Sequence, residues 1–216
     1  MFGGNFQTWK LHSAQDYFMF FAYILAGVLV FWLIAKHMNK QRNHEKAVEK
    51  VSGRLKKICG KPGEVLKNAT LNLPEGKMTF DVVLMDKRGV YLVRTYGWGI
   101  KIYGTPDGAM WRREDAKRKE EFENPLLNLK KGAEEIGKIM EENGVHNLKV
   151  MPMVVFADNY QTPELYLGYG SYSTTYQELK SWYKKQSGVK EVQYDYDKVS
   201  SCLLYTSPSP RDMRRS

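Results

Sequence analysis

The chain has 216 residues, of which 43% are hydrophobic, which is enough for one packed globular domain with additions. It contains two cysteines, Cys59 and Cys202, so a disulfide-rich framework is excluded, in agreement with a reducing compartment. The formal net charge is +9, and its uneven distribution along the chain limits the interpretation more than its size does.

The first feature in chain order is an uncharged apolar segment at residues 17–35. As a helix it nearly covers the ~30 Å hydrocarbon core of a bilayer, and aromatic residues lie toward its ends. A cleaved signal peptide is the competing interpretation, but basic residues follow the segment instead of a small-X-small cleavage site. We therefore predict a transmembrane helix.

Basic residues flank this segment unequally. Lys10 precedes it, and the residues that follow it include Lys36, Lys40, Arg42 and Lys46. The positive-inside bias predicts a single-pass protein of the cell membrane, with residues 1–16 outside and the C-terminal part in the cytoplasm.

The basic excess lies beside the apolar segment. Residues 36–67 carry ten Lys or Arg against three Glu, whereas residues 68–201 carry nineteen residues of each sign. We interpret the excess as attraction to anionic lipid head groups, not as a nucleic-acid surface on the domain.

Residues 45–61 have the spacing of a basic amphipathic helix, which suits a stalk, a lipid-surface helix or the first helix of the domain. Residues 64–73 are predicted to form a short helix. Residues 77–104 then predict three consecutive strands, with a turn at 86–89 and a break at the glycines 97 and 99.

The remaining segments alternate between helix, strand and loop. Asn124 and Pro125 are typical of a helix start, and Pro152 suggests an edge or a bulge in the strand that follows that helix. The other predictions are a strand at 110–112, a solvated loop or helix edge at 113–123, a helix ending at 143–144, a strand at 148–157, a loop at 159–172, a helix at 173–186 and a further strand near 189–196.

The order helix, three strands, helix, strand indicates an α/β domain whose last core strand returns through a helical crossover. We divide the chain into an extracytoplasmic N-terminus (1–16), a transmembrane helix (17–35), a basic juxtamembrane helix or linker (36–61), the α/β domain (62–201) and a tail (202–216).

Asp81 interrupts an otherwise apolar strand. A buried carboxylate is costly unless it is paired or used, so Asp81 is either a satisfied structural residue or part of a site. The four histidines and Cys59 show no ligand spacing. The tyrosines of residues 160–176 suit either a loop packed by its own rings or stacking on bases.

Six elements in order carry a resemblance to a known family. They are Gly63-Glu64, Phe80-Asp81-Val82-Val83, the strand pattern of residues 89–104, Trp111, Asn124-Pro125 and the apolar strand of residues 150–157. In these elements the sequence resembles the nuclease-related domain family, NERD. The resemblance implies a restriction-endonuclease-like core for residues 63–157.

That resemblance also implies a site for phosphodiester hydrolysis. Such sites hold Mg²⁺ through carboxylates, and the family arrangement is a helix Glu, a strand Asp and then Glu-X-Lys. Glu64 and Asp81 match the first two positions, but Arg94 and Tyr96 stand at the Glu and Lys positions. We therefore expect a degenerate site without a bound metal, in which Arg94 pairs with Asp81 or Glu64.

The favoured function is a membrane-anchored, catalytically inactive binding or scaffold module, with DNA or RNA among its potential partners. One alternative is an active Mg²⁺-dependent endonuclease that uses substitute ligands such as Asp86 or Glu114. Another is an interaction protein unrelated to nucleic acid, because fold alone does not fix function.

Residues 202–212, CLLYTSPSPRD, resemble the translation of a transposon adapter used in preparing DNA sequencing libraries. The resemblance predicts an artefactual tail and a natural chain that is cut short near Ser201. A disordered Ser- and Pro-rich tail is the alternative.

Overall fold

A computed structural model describes residues 14–41, 43–60, 63–74, 76–115, 118–158, 161–185 and 194–205. The chain divides into two compact units, Met1–Gln41 and Arg42–Ser216.

The first unit contains one helix, α1 (Ala14–Gln41). Within it, Tyr17–Ala35 is long and apolar enough to cross a membrane by length and composition. Its large apolar side chains are exposed.

The second unit contains the α/β domain, in which two sheets are combined with helices. In chain order the elements are α2 (His44–Cys59), β1 (Glu64–Leu73), β2 (Gly76–Asp86), β3 (Gly89–Tyr96), β4 (Lys101–Gly104), β5 (Met110–Glu114), β6 (Lys119–Glu123), α3 (Pro125–Glu142), β7 (Val150–Phe156), β8 (Glu164–Leu167), β9 (Ser173–Thr175), α4 (Leu179–Lys185) and α5 (Tyr196–Tyr205).

The main sheet has the strand order β1-β2-β3-β7-β9. Strands β1, β2 and β3 form an antiparallel meander, and β7 lies parallel to β3 after the α3 crossover. The predicted mixed α/β order with a helical crossover is therefore confirmed. Pro152 lies on β7 outside the short segment that pairs with β9, so the missing N–H interrupts no pairing with that strand.

Two apolar clusters cover the two faces of this sheet. On one face α2 and α4 pack against side chains such as Val82, Leu84 and Val93. On the other face α3 and α5 pack against Val83, Leu92 and the second sheet. This second sheet has the order β6-β5-β4-β8.

Helix α2 is part of the folded domain. Ala47, Val48, Val51 and Leu55 are at most 2% exposed and face the main sheet. Of the three roles left open for this segment, the structure supports the first helix of the domain, and the compact unit begins at Arg42, ahead of the expected boundary at residue 62. The basic residues of α2 therefore belong to the domain surface.

The helix expected at residues 64–73 is wrong, because this segment is strand β1. Ala69, Leu71 and Leu73 point inward with a period of two. Asn68 has a φ of 50°, which interrupts the pairing with β2 between Lys67 and Ala69. The register of the pairing is the same on both sides of Asn68, so this left-handed residue adds no extra residue to β1, but the alternation of buried and exposed residues is regular only after it. Only half of the strand therefore shows the pattern in the sequence.

The third strand expected in the central meander lies in the other sheet. Gly99 has a φ of 120°, and a Cβ atom there would lie 2.8 Å from Cδ1 of Ile102. The chain turns at this glycine and enters β4. The place of the third strand in the meander is taken by β1.

Three peripheral predictions also need correction. The charged segment 113–123 is part of the β5–β6 hairpin, in which Arg113 lies opposite Glu120 and the two side chains form an ion pair. The expected loop at 159–172 contains β8, and the helix expected from Ser173 begins at Leu179. Residues 189–193 of the last expected strand lie outside the described residues, and Tyr196 begins a helix.

Helix α5 extends into the segment that resembles an adapter. Val199 and Leu203 are at most 2% exposed and pack in the core together. Residues 206–216 lie outside the described residues, and the artefactual origin of the tail stays a prediction.

Candidate functional site

Asp81 lies on β2 next to β3, in the interior of the main sheet. The pairing of Val82 with Val93 places Asp81 beside Arg94 on the neighbouring strand. Asp81 is 3% exposed, so its carboxylate depends on protein groups for its hydrogen bonds.

Both carboxylate oxygens of Asp81 receive hydrogen bonds. Nη1 of Arg94 donates to Oδ1 at 3.2 Å, and the backbone N–H of Thr95 donates to Oδ2 at 2.6 Å. Nη2 of Arg94 donates to the backbone oxygen of Thr79 at 3.3 Å. The predicted pairing of Arg94 with Asp81 is confirmed.

His44 also reaches this carboxylate. Its Nε2 atom lies 3.3 Å from Oδ1 of Asp81, although the His44 side chain is 55% exposed. Asn43 caps α2 by accepting a hydrogen bond from the N–H of Glu45, and the cap places His44 in the first turn. Sequence reasoning missed His44, because no motif links it to a strand residue 37 positions later.

Glu64 is not part of this arrangement. It is an exposed residue at the start of β1 and pairs with Met85, four residues from Asp81 along β2. At the rise of a β-strand this separation is roughly 13 Å. The structure therefore does not bring together the two acids that the family pattern matched.

The two candidate substitute ligands are also engaged elsewhere. Asp86 is 1% exposed at the far end of β2, where it accepts hydrogen bonds from the backbone N–H of Arg88 and the hydroxyl of Tyr183. Glu114 lies in the second sheet and forms ion pairs with Arg112 and Lys119, each at 3.2 Å.

Tyr96 lies in an aromatic cluster with Trp98, Phe122 and Phe156. Its ring centroid lies 4.8 Å from that of Trp98. The Tyr96 ring also stacks on the ring of Phe156, with 5.5 Å between the two centroids. Burial raises the pKa of Tyr96 to about 12, so the phenol is neutral at physiological pH. The position that holds a lysine in the family pattern supplies no positive charge here.

A cavity of about 240 Å³ opens beside this site. His44, Arg94 and Tyr96 contribute to its wall together with Glu123 and the N-terminal turn of α3. Among the described residues, no group of three or more His, Cys, Asp or Glu side chains is placed to hold a metal ion.

The donor set around Asp81 does not fit Mg²⁺. This ion prefers several oxygen ligands in octahedral geometry. The groups nearest the Asp81 oxygens are a guanidinium, a backbone N–H and an imidazole, and the first two donate hydrogen bonds to the carboxylate. A carboxylate that already accepts these bonds would have to give up stabilising contacts to bind a cation.

The profile of the nuclease-related domain, NERD, matches residues 40–157. The chain belongs to this family. The match begins just ahead of α2 and ends just after β7, so it covers the helix, the meander, the crossover helix and the parallel strand of the NERD domain. This order agrees with a restriction-endonuclease-like core. No curated protein and no solved structure matches the chain.

Proposed function

We propose that this NERD protein is a membrane-anchored pseudoenzyme, whose domain serves as a cytoplasmic binding or scaffold module. The observation that carries the proposal is the contact between Arg94 and Asp81, because a guanidinium occupies the neighbourhood where the family pattern has a second carboxylate. The membrane part of the proposal rests on the Tyr17–Ala35 segment.

Electrostatics favours the loss of metal-dependent hydrolysis. Two unit charges about 4 Å apart interact by about 4 kcal/mol at an effective dielectric of ~20, and a divalent ion would feel roughly twice that. With Arg94 in place this interaction opposes the cation instead of attracting it. Arginine also stays charged at every physiological pH, so no change of protonation removes the repulsion.

Nuclease activity is the first test. The full-length protein in nanodiscs is incubated with supercoiled plasmid DNA and Mg²⁺ or Mn²⁺, beside Asp81→Asn, which keeps the shape of the side chain. We expect equal, background nicking by both proteins. Metal-dependent nicking by the wild type that disappears in Asp81→Asn would show an active endonuclease and refute the proposal.

A reconstructed variant makes the same test more informative. Arg94→Glu with Tyr96→Lys restores the family pattern on β3, and Arg94→Gln with Tyr96→Phe is the matched control, which alters the same positions without restoring it. We expect the restored variant to bind Mn²⁺ more tightly than the control does, as measured by isothermal titration calorimetry. Tighter Mn²⁺ binding by the wild type than by either variant would contradict the proposed role of Arg94.

Nucleic acid is the favoured partner class because the family is nuclease-related. Binding of the full-length protein to labelled DNA and RNA, measured over a series of salt concentrations, separates this partner from a protein partner. A falling affinity with rising salt supports phosphate contacts. No binding at any salt concentration favours the alternative, an interaction protein unrelated to nucleic acid.

Membrane orientation is tested by labelling. In cysteine-free protein, with Cys59→Ala and Cys202→Ala, a single cysteine is introduced at exposed Tyr169 or at Asn5 near the N-terminus. We expect an impermeant maleimide to label intact cells at position 5 and, only after permeabilisation, at position 169, because the basic flank follows the span. The reverse pattern would place the domain outside.

A further inference from the structure

A second, larger cavity lies between α2 and α4. Its volume is about 840 Å³, and it opens on the face of the main sheet that α2 and α4 cover, whereas Arg94 and Tyr96 belong to the cavity at the N-terminus of α3. Cavities of roughly 300–1,000 Å³ suit small organic ligands. Arg94, Thr95 and His44, which contact Asp81, do not line this cavity.

The cavity wall is strongly cationic. The residues that line it include one acid, Glu49, and six basic side chains. Three of the basic side chains come from one stripe of α2, two from successive turns of α4 and one from the β2–β3 turn; they are Lys50, Arg54, Lys57, Lys180, Lys184 and Arg88.

Both arginines of this wall are held in place. Arg54 lies over the ring of Tyr176 at 4.7 Å and donates to the backbone oxygen of Gln177. Arg88 is 8% exposed, lies over the ring of Tyr183 at 4.2 Å and donates to its backbone oxygen at 2.7 Å. Fixed guanidinium groups lose little conformational entropy when they bind an anion.

The convergence of like charges needs a physical reason. The four lysines are exposed, whereas Arg54 is half-buried and Arg88 is buried. Since α2, α4 and a strand turn bring all six cations around one cavity, their mutual repulsion is unfavourable. An anion in the cavity removes that repulsion. We propose that the cavity between α2 and α4 binds a compact polyphosphorylated anion of nucleotide size.

The shape of the wall supports a compact ligand over a polymer. A nucleic-acid strand needs a groove that follows its backbone over several nucleotides, whereas this space suits a single ligand of small-molecule size. Gly53 and Ile58 also line the cavity, beside the rings of Tyr176 and Tyr183. They supply apolar surface for a ring or a similar group. A soluble nucleotide and a phosphorylated lipid head group share the required chemistry.

Calorimetric titration of the full-length protein in phosphatidylcholine nanodiscs tests the proposal. The probes are ATP, inorganic tripolyphosphate and, for lower charge, inorganic phosphate. We expect both polyphosphates to bind and inorganic phosphate to bind far more weakly. Lys180→Gln with Lys184→Gln should weaken polyphosphate binding about tenfold or more, because hydrogen bonds to charged groups are lost.

Two further variants show whether a loss of binding comes from lost cavity charge, from lost cavity volume or from a general change in the protein. A Cβ atom at Gly53 would have no neighbour within 4 Å, so Gly53→Met fits α2, fills the cavity and changes no charge. It should weaken binding as much as the lysine pair does. Lys138→Gln with Lys149→Gln removes two exposed charges that do not line the cavity and should leave the affinity unchanged.

A separate competition experiment tests whether the natural ligand is a lipid head group or a soluble anion. Nanodiscs or vesicles that contain a phosphatidylinositol bisphosphate should compete with tripolyphosphate if the natural ligand is a head group, and should not compete if it is soluble; either result supports the site. Absence of polyphosphate binding, or equal binding by all variants, would overturn it. So would cavity-dependent binding of long DNA or RNA without binding of the compact anions. The nicking assay on Asp81→Asn is independent of each result.

Discussion

At the scale of single residues, Asp81 is stabilised by groups from separate parts of the chain. Arg94 and Thr95 come from the adjacent strand, and His44 comes from the first turn of α2. A buried carboxylate with two or more hydrogen-bond donors is satisfied without a metal. The same contacts that stabilise the buried Asp81 carboxylate therefore compete with binding of a metal ion to it.

Tyr96 gives this site a measurable response to alkaline pH. Burial is the main cause that raises its pKa to about 12; Arg94 lowers it, while Asp81 and Glu123 raise it. In the unfolded chain the phenol titrates near pH 10. The buried, neutral phenol of Tyr96 therefore contributes its full stabilisation to the fold below pH 10, and this contribution is lost as the pH rises through 12. Tyr96→Phe should therefore reduce the loss of unfolding free energy near pH 12 by about 2 kcal/mol.

Denaturant unfolding of the full-length protein in detergent, followed by tryptophan fluorescence between pH 8 and pH 12, measures the effect. Tyr169→Phe changes a fully exposed ring and is the control. Burial also raises the pKa of Tyr91 to about 12, so part of the alkaline loss should persist in Tyr96→Phe. A pH profile of Tyr96→Phe that is identical to that of the wild type would refute this account.

The residues of the site were only partly predictable. Strand alternation and family position singled out Asp81 and Arg94, and their pairing follows from the register of two antiparallel strands. The N–H of Thr95 and the side chain of His44 could not be predicted, because they depend on the pleat of β3 and on where α2 begins. The sequence predicts a helix around Glu64 because the burial alternation of β1 is irregular up to Asn68, where φ is positive.

At the scale of elements, Asn124 connects α3 to the second sheet. Its Oδ1 atom accepts from the N–H of Leu126 at 2.9 Å, and its Nδ2 atom donates to the backbone oxygens of Gly108 at 2.7 Å and Pro106 at 3.1 Å. Asn124 is 2% exposed, so these groups have no access to water as a substitute. The cap was predicted from Asn-Pro, whereas its second role required the structure.

Asn124→Ala should destabilise the domain by about 2–4 kcal/mol, because the helix loses its cap and buried carbonyl groups lose a donor. Asn128→Ala, at an exposed position on the same helix, is the matched control and should change stability by less than about 0.5 kcal/mol. Both values come from denaturant unfolding of the full-length protein in detergent. Equal effects of the two substitutions would show that the Asn124 contacts contribute little.

Long elements with an uninterrupted period were predictable, and interrupted or highly charged ones were not. Helix α3 and strand β7 lie where the apolar spacing indicates them. The β5–β6 hairpin is hard to predict because the Arg113–Glu120 ion pair lies on the same face as Trp111 and Phe122, so charged and apolar residues do not separate by face. A segment with charges of both signs is also typical of a solvated loop, so composition alone does not distinguish a loop from a hairpin here.

At the scale of the whole molecule, the position of α2 changes the meaning of the net charge. An amphipathic helix with an apolar stripe and basic residues suits a lipid surface and a protein sheet equally well. Periodicity therefore could not decide whether the basic excess belonged to the membrane or to the domain. Since Val51 is fully buried against the main sheet, the basic face of α2 becomes part of the domain and lines the larger cavity.

A truncation series tests where the domain begins. A chain that starts at residue 42 retains α2, whereas one that starts at residue 62 exposes the sheet face formed by Val82, Leu84 and Val93. We expect the longer chain to unfold cooperatively and the shorter one to aggregate or to bind a hydrophobic dye, because each buried apolar side chain of α2 contributes about 1.5–3 kcal/mol. Val51→Ala in the full-length chain should cost about 1–3 kcal/mol by the same mechanism, and Lys56→Ala, at an exposed position on the same helix, is its control. Cooperative unfolding of the chain that starts at residue 62, at the midpoint of the longer one, would show that α2 is an accessory to the domain.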